Sequence, residues 1–230
     1  RKIITIEDPI EYRIEGVTQI QVNPPIGLTF ARCLRTILRQ DPDILMVGEI
    51  RDTETAQITI RTALTGHLVF STLHTNDATS AVTRLLDMEI EPFLVSSSVI
   101  GIIAQRLVRV LCPECKRPFD PPPSALKRVN VAREPIDGVE FYRAQGCETC
   151  RYTGFRGRTA IFEFTQITED FRRLVVERVG ANVLKQQALR DGMTTLRHDG
   201  WRKVRRGITT LDEVLRVTLE DEHAIDEEVI

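Results

Sequence analysis

One apolar run that ends in an acid constrains the fold of this chain more than any other feature. Residues 44–47 are Ile-Leu-Met-Val, and Gly48 and Glu49 follow them directly. A short continuous apolar run of this kind is typical of a strand that is buried on both faces, as in a parallel sheet. The sequence therefore places the Glu49 carboxylate at the carboxyl end of a central strand, the edge where open α/β sheets bind ligands.

The segments around this strand predict an α/β fold with a parallel sheet. Further strands are predicted at residues 2–6, 17–22 and 67–74, and the last of these is expected to be buried. Amphipathic helices lie between them, with predicted N-caps at Thr29, at Asp52 and at either Asn76 or Asp77. Strands that alternate with helices over short links favour a parallel sheet with helices packed on it.

The later part of the chain is predicted to contain one more strand and several helices. A helix is expected to open at Pro92, because proline suits the first helical position. Its apolar side would include Val95, Val99, Ile102 and Ile103. Residues 158–164 have the character of a strand, and the sequence beyond them is helical in pieces. Thr210 and Glu213 have the spacing of a capping box at the start of the last of these helices.

Four cysteines form two C-x₂-C pairs. Cys112 is paired with Cys115 and Cys147 with Cys150, and 31 residues separate the two pairs. This pattern predicts one tetrahedral Zn²⁺ held by four thiolates, in a structural site because four cysteines leave no coordination position open. Two disulfides are the alternative, which a reducing compartment disfavours.

The composition argues against two classes of function. The chain has 31 basic and 33 acidic residues, so it lacks the basic excess that a nucleic-acid surface requires. No apolar run approaches the roughly 20 residues of a membrane span. The sequence opens on Arg1 rather than Met and enters a strand almost directly, so we expect it to be a piece of a longer protein.

Several titratable side chains fall at the ends of the predicted strands. Three acids follow the first strand, one acid follows the central strand, and two histidines flank the next: Glu7, Asp8, Glu11, Glu49, His67 and His74. Each of these alone is explained by a solvated turn, a charge at a helix start or a satisfied histidine. Together they have the layout expected of a site that cleaves phosphates, with one carboxylate for the water, another for Mg²⁺, and histidines near the γ-phosphate.

Four segments, in order along the chain, resemble motifs of the secretion ATPase superfamily. Residues 5–12, Thr-Ile-Glu-Asp-Pro-Ile-Glu-Tyr, resemble its aspartate box, and residues 43–52 resemble its Walker B strand. Residues 65–75, which include both histidines, are similar to its histidine box. Residues 104–109 and the cysteines after them are similar to the assembly branch, which comprises type II secretion ATPases and type IV pilus extension ATPases; retraction ATPases lack the cysteines.

This resemblance implies a role for each candidate residue. Glu11 would be the catalytic carboxylate and Glu49 the Walker B acid, with His67 and His74 as the catalytic histidine-box pair. The residues assigned to cofactor binding are Glu7, Asp8 and Arg51, and the metal ligands are Cys112, Cys115, Cys147 and Cys150. The implied cofactors are ATP, Mg²⁺ and Zn²⁺.

The resemblance also implies a division of the chain. An α/β, RecA-like ATPase core, incomplete at its N-terminal side, would occupy residues 1–110. An inserted tetracysteine zinc subdomain would follow at 111–160, and a C-terminal helical subdomain at 161–230. The family's G-x-x-x-x-G-K-[ST] Walker A loop lies upstream of the aspartate box, and none of the 13 glycines here precedes a lysine. We therefore expect the longer protein to hydrolyse ATP and this segment alone to be inactive.

The implied function is that of a type II secretion ATPase, which couples ATP hydrolysis to pseudopilus assembly and protein export. A type IV pilus extension ATPase is the alternative within the family. Such a motor is a cytoplasmic homo-hexamer, peripheral at the inner membrane, that docks on the platform and cytoplasmic-domain proteins of its machine. An alternative of another class is a non-catalytic docking module that kept zinc and a decayed ATPase sheet; the intact acids and histidines count against it.

A basic cluster surrounds Trp201 in the last part of the chain. It consists of Arg197, His198, Arg202, Lys203, Arg205 and Arg206. One interpretation is a solvated helix face, with Leu196, Trp201 and Val204 on the buried side. The alternative is a surface that meets acidic groups of a partner.

Overall fold

The computed structural model of the protein describes residues 1–129 and 138–218. Among these residues the strands are β1 Ile3–Glu7, β2 Thr18–Gln21, β3 Ile44–Val47, β4 Leu68–Ser71, β5 Gly101–Leu111, β6 Arg117–Pro118, β7 Tyr142–Arg143 and β8 Phe155–Gln166. The α-helices are α1 Phe30–Ile37, α2 Thr53–Leu64, α3 Ala78–Asp87, α4 Pro92–Ser98, α5 Pro123–Val129, α6 Glu169–Val176, α7 Ala181–Arg190, α8 Leu196–Arg205 and α9 Leu211–Val217. Short 3₁₀ helices occupy Pro24–Ile26, Leu38–Gln40 and Glu148–Cys150.

The chain divides into two compact units. The first comprises Arg1–Ile102 with Gln166–Asp191, and the second comprises Ile103–Thr165 with Gly192–Ile230. These boundaries differ from those of the three segments expected from the sequence, so the assignment of separate functions to 1–110, 111–160 and 161–230 stays a prediction. None of the helices in the described ranges is both long enough and apolar enough to cross a membrane.

The first unit contains a four-stranded sheet in the order β2-β1-β3-β4, in which all neighbours run parallel. Ile4 of β1 lies opposite Leu45 of β3, and Leu45 lies opposite Val69 of β4. Parallel strands in this register end at a common edge, so the segments after β1, β3 and β4 leave the sheet side by side. The predicted α/β fold with a parallel sheet is confirmed.

The core of the first unit lies between this sheet and α1. Its buried members include Ile4, Ile6, Cys33, Leu34, Ile37, Leu45 and Val47. On β3, Leu45 and Val47 are completely buried, whereas Ile44 and Met46 are only partly covered. The central strand therefore buries one face fully and the other in part, and each fully buried large aliphatic side chain contributes about 1.5–3 kcal/mol.

Side-chain caps fix where the helices of the first unit begin. The caps are Thr29 for α1, Asp52 for α2 and Asp77 for α3. Each accepts a hydrogen bond from the backbone N–H three residues later, which pairs one of the free donors of the first helical turn. All three predicted positions are confirmed, and Asp77 rather than Asn76 caps α3.

The expectation that residues 67–74 form a second buried strand is wrong as to burial, because the strand is Leu68–Ser71 and none of its four residues is buried. β4 is the last strand of the sheet within the described residues, and Leu68 and Phe70 are 36% and 55% exposed. An apolar run does not reveal whether its strand is central or at an edge. An edge strand has a neighbour on one side only, so its side chains and one row of its backbone groups are less covered.

The helix expected to run from Pro92 through Ile103 is shorter than the sequence suggested. α4 ends at Ser98, and Val99 already has an extended conformation. β5 then begins, and its buried residues Ala104 and Val108 alternate with exposed ones. The reason is that four of the residues at 99–103 are β-branched and the fifth is Gly101, and these residue types favour extended backbone over helix or weaken a helix.

The core of the second unit is built around Trp201 of α8. The indole is fully buried, and its ring centroid lies 5.7 Å from that of Phe141. Val204, Leu211 and Val214 complete this cluster. The apolar side of α8 is therefore buried as expected, but Arg197 is buried too, and it donates hydrogen bonds to the hydroxyl and the carbonyl of Thr218. Arg197 is thus part of the interior and not of a basic surface.

The predicted capping box of α9 forms only in half. Thr210 accepts a hydrogen bond from the Glu213 backbone N–H at 3.2 Å, as the motif requires. The Glu213 side chain does not reach back; it is buried and accepts hydrogen bonds from the backbone and guanidinium of Arg109 and from the guanidinium of Arg216. Burial alone would raise the pKa of Glu213, but these donors hold it down at about 2.

Candidate functional site

The carboxyl edge of the parallel sheet brings three of the predicted site residues together. Glu49 lies two residues after β3, and its side chain is only 12% exposed. Glu49 Oε2 accepts a hydrogen bond from Arg51 Nε at 2.5 Å and lies 3.1 Å from His74 Nε2, in the link that follows β4. Since Asp52 caps α2 immediately afterwards, the segment that carries Glu49 and Arg51 is anchored at both ends.

These neighbours keep the Glu49 carboxylate ionised. The hydrogen bond from Arg51 lowers its pKa, and the smaller contribution of His74 acts in the same direction against the opposing effect of burial. The same hydrogen bond raises the pKa of Arg51, and Asp8 adds a weaker charge interaction with that guanidinium. Asp8 is therefore near enough to act on Arg51 across the sheet edge, and the cluster holds both signs of charge.

Glu7 ends β1 and is tied to its own sheet. Its Oε1 accepts hydrogen bonds from Thr5 Oγ1 at 2.6 Å and from Gln19 Nε2 at 2.8 Å. Thr5 is buried on β1, and Gln19 lies on the neighbouring strand β2. The structure thus places Glu7 at the predicted edge with one oxygen already engaged, and its role in cofactor binding stays a prediction.

Glu11 lies in the β1–β2 link, residues 8–17, and its side chain is exposed. The contacts of the described residues do not join its carboxylate to Glu49, so the structure does not assemble the two acids by itself. The backbone on either side of Glu11 is nevertheless held, since glutamine side chains of β2 bind the Ile10 N–H and the Tyr12 carbonyl. The assignment of Glu11 as catalytic carboxylate stays a prediction.

The two histidines lie at opposite ends of strand β4. His67 immediately precedes β4, and its Nδ1 contacts the Thr62 carbonyl at 3.2 Å and the Thr65 hydroxyl at 3.1 Å near the end of α2. His74 follows β4 and contacts Glu49. A histidine at each end of a strand cannot reach the same point in one chain, so the structure groups His74 with the acids and leaves His67 apart.

The donors at this edge suit Mg²⁺ in an open site. Mg²⁺ in proteins usually takes one or two carboxylates together with phosphate oxygens and waters. Glu49 is ionised, and both of its protein contacts fall on Oε2, which leaves Oε1 for a further ligand. In the described part of the chain these acids do not form a closed cluster of three or more ligand atoms, as an all-protein metal cage would require.

The four cysteines of the second unit do form a closed cluster. All four sulfur atoms lie within 4.8 Å of one another. Three of the separations are 3.9 Å for Cys112–Cys147, 3.9 Å for Cys115–Cys150 and 3.8 Å for Cys147–Cys150. Sulfurs about 2.3 Å from a central Zn²⁺ at tetrahedral angles would be about 3.8 Å apart. The thiols are not disulfide-bonded, so the predicted cluster is confirmed and its geometry fits one zinc ion.

Backbone N–H groups orient the sulfurs. Gly146 donates to Cys115 Sγ at 3.3 Å, while Cys147 and Gly154 each donate to Cys150 Sγ at 3.2 Å. Burial by itself raises the pKa of the Cys150 thiol, but the N–H donors, together with the Cys147 and Cys115 thiols, outweigh it and bring the pKa to about 6, whereas burial raises the pKa of Cys115 to about 11. Thiolate is the form that binds zinc, so these amides favour the state that the metal requires.

Comparison with known proteins identifies the family. Residues 1–216 match the family described as Type II/IV secretion system protein. The chain belongs to this family. Curated relatives include the type IV pilus assembly ATPase PilB of Thermus thermophilus, 53% identical over 94% of this chain, and the type II secretion system ATPase E of Vibrio cholerae, 52% identical over 96%. The chain spans less than half of their length, 24% of the former and 43% of the latter.

Solved structures of ATPases share the fold of this secretion-family chain. The pilus retraction motor PilT with bound ADP is 30% identical and superimposes with a TM-score of 0.67, over 96% of this chain and 53% of PilT. The ATPase DotB of Legionella pneumophila has a TM-score of 0.64, over 94% of this chain and 51% of DotB, and at 23% identity it supports the fold alone. The resemblance to secretion ATPases that the motifs indicated is therefore confirmed.

The contacts of the β2 glutamines were not predicted from the sequence. Gln19 and Gln21 flank Ile20, and this alternation with period two places both amides on one face of the strand. That pattern was visible in the sequence, but it did not show what the amides would contact. Only the parallel pairing of β1 with β2 brings the β1–β2 link back along this face.

Proposed function

We propose that the longer protein is the ATPase of a type II secretion system, which couples ATP hydrolysis to pseudopilus assembly and protein export. The observation that supports this most directly is the position of Glu49. It is an ionised carboxylate at the carboxyl edge of a parallel sheet, held between Arg51 and His74. Relatives named as type II secretion proteins, such as those of Vibrio cholerae and Pseudomonas aeruginosa, are 52% and 53% identical.

The residues at the sheet edge would divide the work of phosphoryl transfer. That reaction depends mainly on positioning and on neutralising charge around the phosphates. Glu49 would hold Mg²⁺, which when bound supplies positive charge beside the phosphates. Glu11 would orient the attacking water, while Arg51 and His74 fix the Glu49 carboxylate. Glu7 and Asp8 would complete the acidic side of the site, whereas His67 lies at the other end of β4, so its catalytic role stays a prediction outside this group.

The cradle for the phosphates would come from the part of the protein upstream of this chain. A P-loop holds phosphates with backbone N–H groups and a lysine, and the sequence described here has no such motif. β4 presents an edge whose residues Leu68 and Phe70 are partly exposed. A further parallel strand beside β4 would cover them and place its own carboxyl end next to Glu49 and His74.

We also propose that this RecA-like ATPase works as a homo-hexamer at the cytoplasmic face of the inner membrane. There it would bind the platform and cytoplasmic-domain proteins of the secretion machine, and no nucleic acid. The support for this assembly is membership of a family whose relatives are named as ATPases of secretion and pilus systems. The zinc cluster would stiffen the second unit without taking part in hydrolysis, since four thiolates leave no position for substrate.

A second candidate function is pilus extension. It is favoured by one observation, the 53% identity to the pilus assembly ATPase PilB of Thermus thermophilus. Loss of the gene separates the two: a secretion ATPase mutant retains its exported proteins inside the cell and still makes pili. A mutant that loses surface pili and still exports those proteins would assign the chain to pilus extension instead.

The test of the ATPase proposal is steady-state phosphate release by the longer protein and its carboxamide variants. We expect Glu49→Gln and Glu11→Gln each to lower kcat about a hundredfold or more, with nucleotide affinity changed much less. Glu54→Gln is the matched control, because Glu54 is an exposed acid on α2 that pairs with Arg35 at the surface. Normal turnover by both test variants would overturn the site assignment, and no turnover by the unaltered protein would favour the non-catalytic docking module.

A further inference from the structure

The β1–β2 link is unusually short for a connection between parallel neighbouring strands. β1 and β2 are parallel neighbours, so the link must return from the carboxyl end of β1 to the amino end of β2. Parallel neighbours are usually joined by a crossover of a dozen or more residues that contains a helix. Here only residues 8–17 are available, and they form no helix. The backbone polar groups of such a link need partners from elsewhere in the fold.

Gln19 supplies partners to this link with both ends of its side-chain amide. Its Nε2 donates to the Tyr12 carbonyl at 2.9 Å, and its Oε1 accepts from the Ile14 N–H at 2.8 Å. The same Nε2 donates to Glu7 Oε1 at 2.8 Å. A single amide thus joins the end of β1 to two points on the link. The orientation of the amide follows from its partners, because an N–H needs an acceptor and the two oxygens need donors.

Gln21 binds the link closer to its first residue, at Ile10. Its Oε1 accepts from the Ile10 N–H at 3.3 Å. Gln19 and Gln21 therefore bind the residues on either side of Glu11, one at Ile10 and one at Tyr12. The Glu11 side chain is exposed, but the backbone that carries it is fixed on both flanks.

We propose that Gln19 is the positioning residue for Glu11 in the ATPase reaction. This inference rests on the proposed function, in which Glu11 orients the attacking water. Gln19 would act through the backbone of the link and would not touch the nucleotide. Neither an ionised Glu nor a Lys can replace it, because a carboxylate cannot donate to Tyr12 and Glu7, and an ammonium cannot accept from Ile14.

We call the three hydrogen bonds of the Gln19 side chain the clamp. The clamp would matter for the reaction because the rate of catalysis depends strongly on where the catalytic group lies. A displacement of about 1 Å in a catalytic group can cost on the order of a hundredfold in rate. Substrate binding is far less sensitive to the position of a group that orients only the water. Loss of the clamp should therefore appear in kcat and not in the affinity for nucleotide.

The first experiment uses Gln19→Ala in the longer protein, with Gln57→Ala as the matched control because Gln57 is an exposed glutamine on α2. We expect Gln19→Ala to lower kcat about tenfold or more, with KM for ATP and the Kd for a non-hydrolysable analogue unchanged within about twofold. We also expect amide hydrogen exchange at Ile14 to accelerate about fivefold or more, since its acceptor is lost. The control variant should change neither quantity.

A second variant guards against simple misfolding. Gln19→Glu keeps the size of the side chain and an acceptor for Ile14, but it sets a carboxylate against Glu7. We expect its kcat to be low at neutral pH and to recover partly, relative to the unaltered protein, as pH falls and one proton is shared between the two acids. Gln19→Ala, which has no second acid, should show no such recovery.

The outcomes separate this inference from the proposed function. Faster exchange at Ile14 with a normal kcat would show that Gln19 holds the link but does not position a catalytic group, and would overturn the proposal. A fall in nucleotide affinity as large as the fall in kcat would also overturn it. If the unaltered protein does not turn over ATP, the proposed function fails, whereas exchange at Ile14 still reports on the clamp.

Discussion

Two glutamates of this chain show how position gives one residue type different roles. The pKa values of Glu49 and Glu213 are both lowered by arginine partners. Glu213 is 1% exposed, and two arginines occupy both of its oxygens inside the second unit. Glu49 lies at a sheet edge and has one oxygen without a partner among the described residues. A lowered pKa alone therefore does not identify a functional acid, and it is the free oxygen at a strand end that makes Glu49 the candidate.

Glu213 should make the free energy of unfolding depend on pH. Its pKa of about 2 in the folded state lies below the value near 4.3 of an unfolded chain. The stabilisation is therefore complete above about pH 5 and is lost as pH falls toward 2. We expect Glu213→Gln to cost about 1.5–3 kcal/mol at pH 7, because the variant loses the charge-assisted hydrogen bonds from Arg109 and Arg216, whose guanidinium groups are about half exposed.

Urea unfolding of the protein and the Glu213→Gln variant at pH 7 and at pH 3 checks this prediction. The difference in unfolding free energy between the two proteins should shrink at the lower pH. Glu169→Gln serves as the control, since that carboxylate is 96% exposed and its pairing with Arg172 is loose. A difference that is the same at both pH values would show that the pairing contributes no ionisation-dependent stability.

At the scale of the element, two glycines make the cysteine knuckles possible. Gly146 and Gly154 have φ of +103° and +74°, and their N–H groups donate to the cysteine sulfurs. A Cβ on Gly146 would lie 2.7 Å from the Tyr152 carbonyl oxygen, and one on Gly154 would lie 2.5 Å from Cβ of Ala144. Both positions therefore require glycine for conformation and for space.

The zinc prediction is tested by changing one ligand. We expect the purified protein to contain one Zn²⁺ per chain and Cys147→Ser to lose most of it, since binding of a structural metal is coupled to local folding. Amide exchange should accelerate between Cys112 and Cys150 and stay unchanged in β1 and β3. Cys33→Ala, which alters a buried thiol of the first unit, should keep its zinc. Metal analysis that finds no zinc, with the thiols paired as disulfides, would contradict the assignment.

The basic residues of α8 and its C-cap remain a candidate partner-binding surface, but fewer of them are available than the sequence suggested. Arg197 is buried, and Lys203 pairs with Asp199 at 2.9 Å, whereas Arg202 and Arg206 are exposed. We expect the double reversal Arg202→Glu with Arg206→Glu to weaken assembly with acidic groups of a neighbouring subunit or platform protein, and to leave folding intact.

Size-exclusion chromatography and ATP turnover of the longer protein measure this effect. Arg61→Glu, an exposed reversal on α2, provides the comparison. Assembly and turnover that match the comparison variant would identify the outer side of α8 as a solvated helix face.

At the scale of the whole molecule, the chain contains the residues proposed to bind Mg²⁺ and to orient the water, but it does not contain the P-loop that would bind the phosphates. Without the backbone donors and lysine of a P-loop, Glu11 and Glu49 would face the γ-phosphate with little compensation, and like charges repel. We therefore expect the 230-residue chain to release no phosphate from ATP, whereas the longer protein does so. Parallel steady-state assays at equal concentration decide this, and clear turnover by the 230-residue chain would show that the site is misassigned.

The sequence alone determined the features that depend on local pattern. The apolar run at 44–47 predicted the central strand, the caps at Thr29 and Asp52 followed from short polar side chains before helices, and the C-x₂-C spacing predicted the cysteine cluster. In each case a few neighbouring residues supply the physical cause, so no knowledge of distant contacts was required. The motifs that indicated secretion ATPases are likewise contiguous segments.

Only the tertiary structure decided which segments meet. The apolar run at 67–74 could not show that β4 lies at an edge, because a strand's sequence does not state its number of neighbours. The spacing of Thr210 and Glu213 could not show that Arg109 would donate hydrogen bonds to the Glu213 carboxylate. The residues around Gln19 likewise did not indicate that its side chain would bind the backbone beside Glu11. These contacts join residues that the chain brings together only after β2 has paired with β1 and α9 has packed beside β5. Their energies therefore depend on the completed fold and are not visible in any local window of the sequence.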